Sequence, residues 1–304
     1  MLRKLLLLAV VVAGAAAIAF WLLTAPRTLA ATDLPVHKPD LANGQEMFWA
    51  GGCESCHAAA DASGADLLKL GGGQALVTPF GTFHAPNISP DPQFGIGRWS
   101  NLDFVNAMKF GIAPGGRHLY PAFPYTSYQH MRVEDLLDLK AYLDTLPRVA
   151  KPSLPHDLAF PFNIRRGIGL WQLFYVDGKT FVPDPHKSAE LNRGAYLVEG
   201  PAHCGECHTP RNWIGGPELT KAYAGGPSPD GKGKVPNITS DATGLADWSE
   251  SDIETMLSTG FKPNFDSVGS TMAAVVRNTA KLTDADRKAI AAYIASLPAI
   301  DPGS

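Results

Sequence analysis

The four cysteines of the chain fall into two clusters, Cys53-Glu54-Ser55-Cys56-His57 and Cys204-Gly205-Glu206-Cys207-His208. Each is a C-x-x-C-H, the haem c attachment signature. Two thiols at this spacing reach the two vinyl groups of one haem and become thioethers. The adjacent histidine then lies under the iron as its proximal ligand. Two covalently bound haem c groups are therefore expected, held by Cys53, Cys56, Cys204 and Cys207, with His57 and His208 on the irons. Pooling the cysteines into one four-thiolate zinc site leaves both neighbouring histidines unexplained. A thioredoxin-like motif would want a βαβ context, which the pattern lacks. C-x-x-C pairs are also poor structural staples. No cysteine is left over, so cysteine cannot be a sixth iron ligand.

The elements that must position these motifs repeat along the chain. The motifs lie 151 residues apart, and the likeness extends well beyond them. Ala85-Pro86-Asn87-Ile88-Ser89 matches Val235-Pro236-Asn237-Ile238-Thr239. Trp99-Ser100 matches Trp248-Ser249, and Gly111-Ile112 matches Gly260-Phe261. Ala141-Tyr142 with Leu146-Pro147 matches Ala292-Tyr293 with Leu297-Pro298. The halves read as homologous domains, 36–147 and 189–301. In each, a helix (Leu41–Ala50; Ala189–Glu199) leads into the motif. Ser100 and Ser249 are N-caps of a middle helix ending at Gly111 and Gly260. A last amphipathic helix runs about Val133–Leu146 and Asp284–Leu297, closed by Pro147 and Pro298. Leu136, Leu139, Leu143 and Leu146 stand at helical spacing, a core stripe. Thirty glycines and twenty-five prolines predict loop-rich connections. The fold class is mainly α. Residues 148–188, rich in proline and aromatics, are too apolar for a flexible linker and are expected to be ordered and packed.

Ahead of the first domain, residues 1–31 form an anchor or signal segment. Leu5 to Leu23 is an uncharged run that would span roughly 28 Å as a helix, close to the hydrocarbon thickness of a bilayer. Arg3 and Lys4 precede it, which puts the N-terminus in the cytoplasm and the body outside it. A cleaved signal peptide would have a shorter apolar core, and Thr28-Leu29-Ala30 is a poor cleavage site. An uncleaved single-pass transmembrane helix is the favoured reading. Arg3, Lys4 and Arg27 are the only charges in this segment, so the body beyond it carries a net −6 against −3 for the whole chain. Such a body repels nucleic acid, which removes nucleic-acid binding.

These residues resemble the class I cytochrome c family in its multi-haem form, and within it the cytochrome c subunits of membrane-bound bacterial alcohol, aldehyde and sugar dehydrogenases. The likeness covers most of residues 40–300. It is carried by Leu41-Ala42-Asn43-Gly44, Pro86-Asn87-Ile88, Gly116-Arg117-His118-Leu119-Tyr120-Pro121 and the two closing helices. The resemblance implies two tandem helical cytochrome c domains in the periplasm, tethered to the bacterial inner membrane. The partners it implies are a periplasmic or membrane-bound dehydrogenase as electron donor and, beyond the chain, a respiratory acceptor (oxidase, quinone or another cytochrome).

In this family a methionine usually completes the iron coordination and raises the potential. Met272, in Val268-Gly269-Ser270-Thr271-Met272, sits where that ligand sits. The position equivalent to Met272 in the first half is Phe123, which cannot bind iron. For the first haem Met131 is the leading candidate, with a core-packing role as its alternative. His118 is the second candidate, and His130 is weaker. An open first site would instead suit a redox enzyme such as a dihaem peroxidase, or a gas sensor. No acid/base pair for catalysis can be singled out from the sequence.

Overall fold

In the computed structural model, which describes residues 1–228, 231 and 233–303, the chain is mainly helical and its two halves repeat one plan. Helix α1 (Leu2–Leu23) stands ahead of the body, exposed along nearly its whole length. The first domain follows with α2 (Leu41–Ala50), α3 (Cys53–His57), α4 (Asn101–Phe110), α5 (Tyr125–Tyr128) and α6 (Val133–Leu143). Helix α7 (Ile168–Tyr175) lies in the connection. The second domain holds α8 (Ala189–Glu199), α9 (Gly205–His208), α10 (Glu250–Thr259), α11 (Thr271–Thr279) and α12 (Asp284–Ala295).

The most extensive helix packings are α2 on α6 and α8 on α12. Both need a glycine at the crossing. A Cβ on Gly44 would lie 2.2 Å from the Asp138 carbonyl oxygen, and one on Gly194 would lie 1.9 Å from that of Ala289. Real side chains cannot approach that closely, so only glycine lets the backbones meet. The middle helices start and stop as their residues dictate. The Ser100 hydroxyl accepts from Asp103 N–H and the Ser249 hydroxyl from Asp252 N–H, both at 3.1 Å. Gly111 (φ 63°) and Gly260 (φ 81°) close them in the left-handed conformation that glycine takes without strain. The stripe Leu136, Leu139, Leu143 and Leu146 is buried. The last helices stop two or three residues short of the expected ends, the remaining residues forming a turn before the proline.

Two asparagines tie the loop after each motif to the end of its domain. Asn87 Nδ2 donates to the carbonyls of Val149 (2.7 Å) and Lys151 (2.8 Å), and Asn237 Nδ2 donates to that of Ile300 (2.9 Å). Each accepts from the N–H two residues on, Ser89 or Thr239, at 2.9 Å. These amides therefore lock backbone.

One apolar core runs through both domains, from Met47, Phe48 and Leu136 to Leu197, Ile253 and Ile290. The connection is ordered and touches both halves. Three short strands, β1 (Ala75–Thr78), β2 (Gly81–His84) and, from beyond the first domain's last helix, Asp157–Leu158, form an antiparallel sheet in that order. Alternation over such short stretches is too brief to read in the sequence. Helix α7 is also a feature the composition did not show. Its Gln172 Nε2 donates to the Phe110 carbonyl (3.0 Å) in the first domain, and its Trp171 Nε1 donates to that of Ile214 (3.1 Å) in the second.

Candidate functional site

Both C-x-x-C-H motifs fold as a short helical turn immediately after the leading helix. Residue types and turn geometry together aim the histidines. The His57 Nδ1–H donates to the Pro86 carbonyl at 2.7 Å, and the His208 Nδ1–H donates to that of Pro236 at 2.8 Å. Each bond fixes the tautomer and leaves Nε2 with its lone pair for a metal. Burial lowers the pKa of both rings, each opposed by its carbonyl bond, so the neutral ligand form is favoured. The four cysteines are free thiols. Burial, with a neighbouring cysteine as the second cause, pushes Cys53 and Cys204 up to about 12. A nucleophilic cysteine needs the opposite shift. Two unbridged thiols beside one oriented imidazole, twice over, fit covalent haem c.

The two motifs lie against each other. Gly51, next to the first, is sandwiched: a Cβ there would be 3.5 Å from Cys53 Sγ and 3.7 Å from the Pro201 carbonyl oxygen. The Gly51 carbonyl accepts from Tyr128 Oη and from His203 Nε2, each at 3.2 Å. Cys207 is close enough to Cys56 to raise its pKa, second only to burial.

One carboxylate fastens each motif to the opposite domain. Glu54, 1% exposed, accepts from Arg277 Nη2 through both oxygens (2.9 and 3.0 Å), from Arg277 Nε (3.0 Å) and from Asn278 Nδ2 (2.9 Å). Arg277 and Asn278 belong to α11, the helix that begins at Met272's turn. Glu206 accepts from Ser127 Oγ (2.9 Å) and Thr126 Oγ1 on α5, and from its own domain's Arg211. The first motif is thus tied to α11 of the second domain, and the second motif to α5 of the first. Sequence reasoning missed these ties. The two glutamates stand at different places in their motifs, so the repeat pairs neither with the other. The carbonyls of Pro86 and Pro236 were signalled by the repeated Pro-Asn-Ile.

The candidate sixth ligands sit in different surroundings. Met272 lies in the first turn of α11, half-buried against the core. Phe123 is partly buried in the first domain and meets Tyr125 edge-on and Tyr128 at a tilt, with centroids at 6.2 and 5.5 Å. Met131 is buried where the second domain has Leu282, and its Cγ would be 3.6 Å from a Cβ on Gly200, at the end of α8. It therefore sits in the core between the domains. His118 is buried away from the motifs. Its Nδ1 meets Gln172 Oε1 at 2.6 Å and its Nε2 meets the Thr24 carbonyl at 2.9 Å. In this arrangement neither nitrogen of His118 is left for iron. The sequence did not show this role, because both partners lie more than fifty residues away.

The chain belongs to the cytochrome c family, whose model matches residues 41–147 and 191–298. It carries two cytochrome c domains and two haem c groups. A protein described as "Diheme cytochrome c-type" from Cereibacter sphaeroides is 52% identical over 262 residues, covering 86% of this chain and 87% of its own. The fructose dehydrogenase cytochrome subunit of Gluconobacter japonicus is 36% identical, over 88% of this chain and 54% of its own length. The cytochrome c subunit of the quinone-dependent alcohol dehydrogenase of Gluconacetobacter polyoxogenes is also 36% identical, over 83% of this chain and 54% of its own. The chain thus spans about half the length of these two dehydrogenase subunits.

Proposed function

We propose that this chain is a membrane-anchored periplasmic dihaem cytochrome c that takes electrons from a dehydrogenase and delivers them to a respiratory acceptor. The supporting observation is the face-to-face seating of two haem-attachment motifs, each tied to the other domain through a buried or half-buried glutamate. Each bound haem supplies a one-electron iron couple. The chain's own residues do the rest. Cys53, Cys56, Cys204 and Cys207 hold the two groups at a set separation. Pro86 and Pro236 aim His57 and His208. Met272 is the sixth ligand of the second haem in this reading. For the first, Met131 is favoured over His118, because no hydrogen bond engages its sulfur among the described residues.

The donor follows from the names of the relatives, several of which are cytochrome subunits of dehydrogenases acting on alcohol, fructose or gluconate. Anchoring follows from α1, whose apolar length suffices to cross a bilayer. Its end is built into the body: Thr24 is fully buried, which favours an uncleaved anchor over a removed leader.

The test is genetic and respirometric. Membranes from a strain lacking this chain should lose oxygen uptake driven by the substrate of its dehydrogenase. The intact gene should restore it, and a Cys56→Ala, Cys207→Ala version should not. Uptake unchanged in the deletion strain would refute the carrier role.

A further inference from the structure

Helix α7 has two faces of opposite fate. Gly169, Trp171 and Gln172 are buried against the body. Leu170, Leu173 and Phe174, at i, i+3 and i+4, form a stripe on the other side that is 37, 45 and 77% exposed. The loop before it adds exposed Phe160, Phe162 and Ile164. Large apolar side chains left bare over one short stretch of chain mark an interaction site.

What covers it is indicated by its neighbour. The end of α1 is clamped to the start of α7. Arg166 lies over the Trp21 ring at 3.9 Å, donates from Nη2 to the Trp21 carbonyl (2.9 Å) and donates from Nε to Thr24 Oγ1 (2.9 Å). Arg27 Nη1 donates to the Val176 carbonyl at 3.1 Å, just past the end of α7. A Cβ on Gly169 would lie 2.8 Å from Thr24, so the two backbones touch. Leu23 and Leu173 line the same small crevice between the helices. The free stripe of α7 therefore continues the apolar flank of α1 at the level where α1 ends. Arg165 and Arg166 lead into α7, and Trp21, an aromatic of the kind that sits at membrane interfaces, lies against Arg166.

We propose that α7 and the Phe160–Ile164 loop lie in the headgroup layer of the membrane that α1 crosses, a second contact that holds the haem domains in one orientation over the lipid surface. This rests on α1 being a membrane span. The clamp fixes the body relative to α1, and the second contact fixes the tilt of both against the lipid surface. Two contacts joined through Arg166 fix which side of the body faces lipid and which faces partners.

The test uses the full-chain holoprotein in nanodiscs of phosphatidylethanolamine and phosphatidylglycerol, with a diazirine-bearing phospholipid as probe and peptide mass spectrometry as readout. Peptides covering 160–175 should be labelled several-fold above the peptide bearing Phe265, a still barer aromatic on the second domain. A Leu170→Ser, Phe174→Asp variant with an unchanged haem spectrum should lose most of that labelling while α1 keeps its own. Labelling of α1 with 160–175 no higher than the Phe265 peptide would overturn the proposal and leave the anchor intact; the face would then belong to a protein partner. Absence of label on α1 itself would overturn the span and the proposal together.

Discussion

The two domains agree on one side of their haem motifs and part on the other. On the proximal side the repeat is close: His57 and His208 donate to equivalent proline carbonyls at 2.7 and 2.8 Å, beneath equivalent asparagine locks. On the distal side the first domain has a short turn, α5, whose Tyr125 and Tyr128 are buried and pack at an angle against Phe123. Lys109 pins the backbone that follows, its Nζ donating to the carbonyls of Gln129 (2.6 Å) and Met131 (3.2 Å) and to Thr180 Oγ1 (2.8 Å). The second domain has a longer helix, α11, reached through a loop with exposed Phe265 and Gly269, and the residue in the place of Lys109 is the short, half-buried Ser258. Duplication kept what attaches and aims a haem. It left each distal side to adapt: both are held from across the interface, by Glu206 and by Glu54, but only the first is also packed by its own tyrosines and pinned by Lys109.

Lys109→Met should break the first distal side alone. It leaves two buried carbonyls without their donor, at a cost of about 3 kcal/mol. Urea denaturation should show the loss, while the spectrum of the second haem is retained. Met272→Ala strikes the other side. It should lower the potential of the second haem by on the order of 100 mV, a fraction of the range that axial ligation commands. Spectroelectrochemical titration should show one couple moving and one staying. Arg277→Ala sharpens the cross-domain tie. It strands the buried Glu54, but Arg277 is half-exposed, so the cost should be about 2 kcal/mol rather than that of a fully buried pair. Arg211→Ala, which leaves Glu206 its two hydroxyl donors, should cost less by the same assay.

The smallest effect expected is a pH slope at the junction of α2, α8 and α12. Arg193 bridges Glu46 (2.7 Å) and Asp286 (2.7 Å). Burial, with Asp286 beside it, pushes Glu46 up to about 7 from its ordinary 4.5. The folded protein then holds a proton there that the unfolded chain has released. Stability from this group is present below pH 4.5 and lost as the pH rises through 7. The half-exposed setting limits it to about 1 kcal/mol, and Glu46→Gln should flatten the slope in urea midpoints measured from about pH 5 to 8.

What could be read from residue order follows from how local each signal is. The attachment motifs, the serine caps, the closing glycines and the leucine stripe all act within a turn or two, and the structure places each helix start where those residues put it. Leu41-Ala42-Asn43-Gly44 was legible as a motif, though the backbone crossing that needs its glycine was not. The features that escaped are those whose partners are distant in the chain. Glu54 meets Arg277 across more than two hundred residues. His118 meets Thr24 and Gln172 at the anchor. Helix α7 is one of them too, since eight mostly apolar residues, with Gln172 among them, give neither the length nor the caps of a helix signal.

Carbon monoxide offers the most direct test of the account, in which two haems aimed alike are both closed by protein ligands and serve to carry electrons. The dithionite-reduced full chain is examined by visible spectroscopy before and after the gas is added. Neither haem should shift. A shift of about half the haem would contradict it, placing an open iron in the first domain and making catalysis or gas binding part of what this protein does.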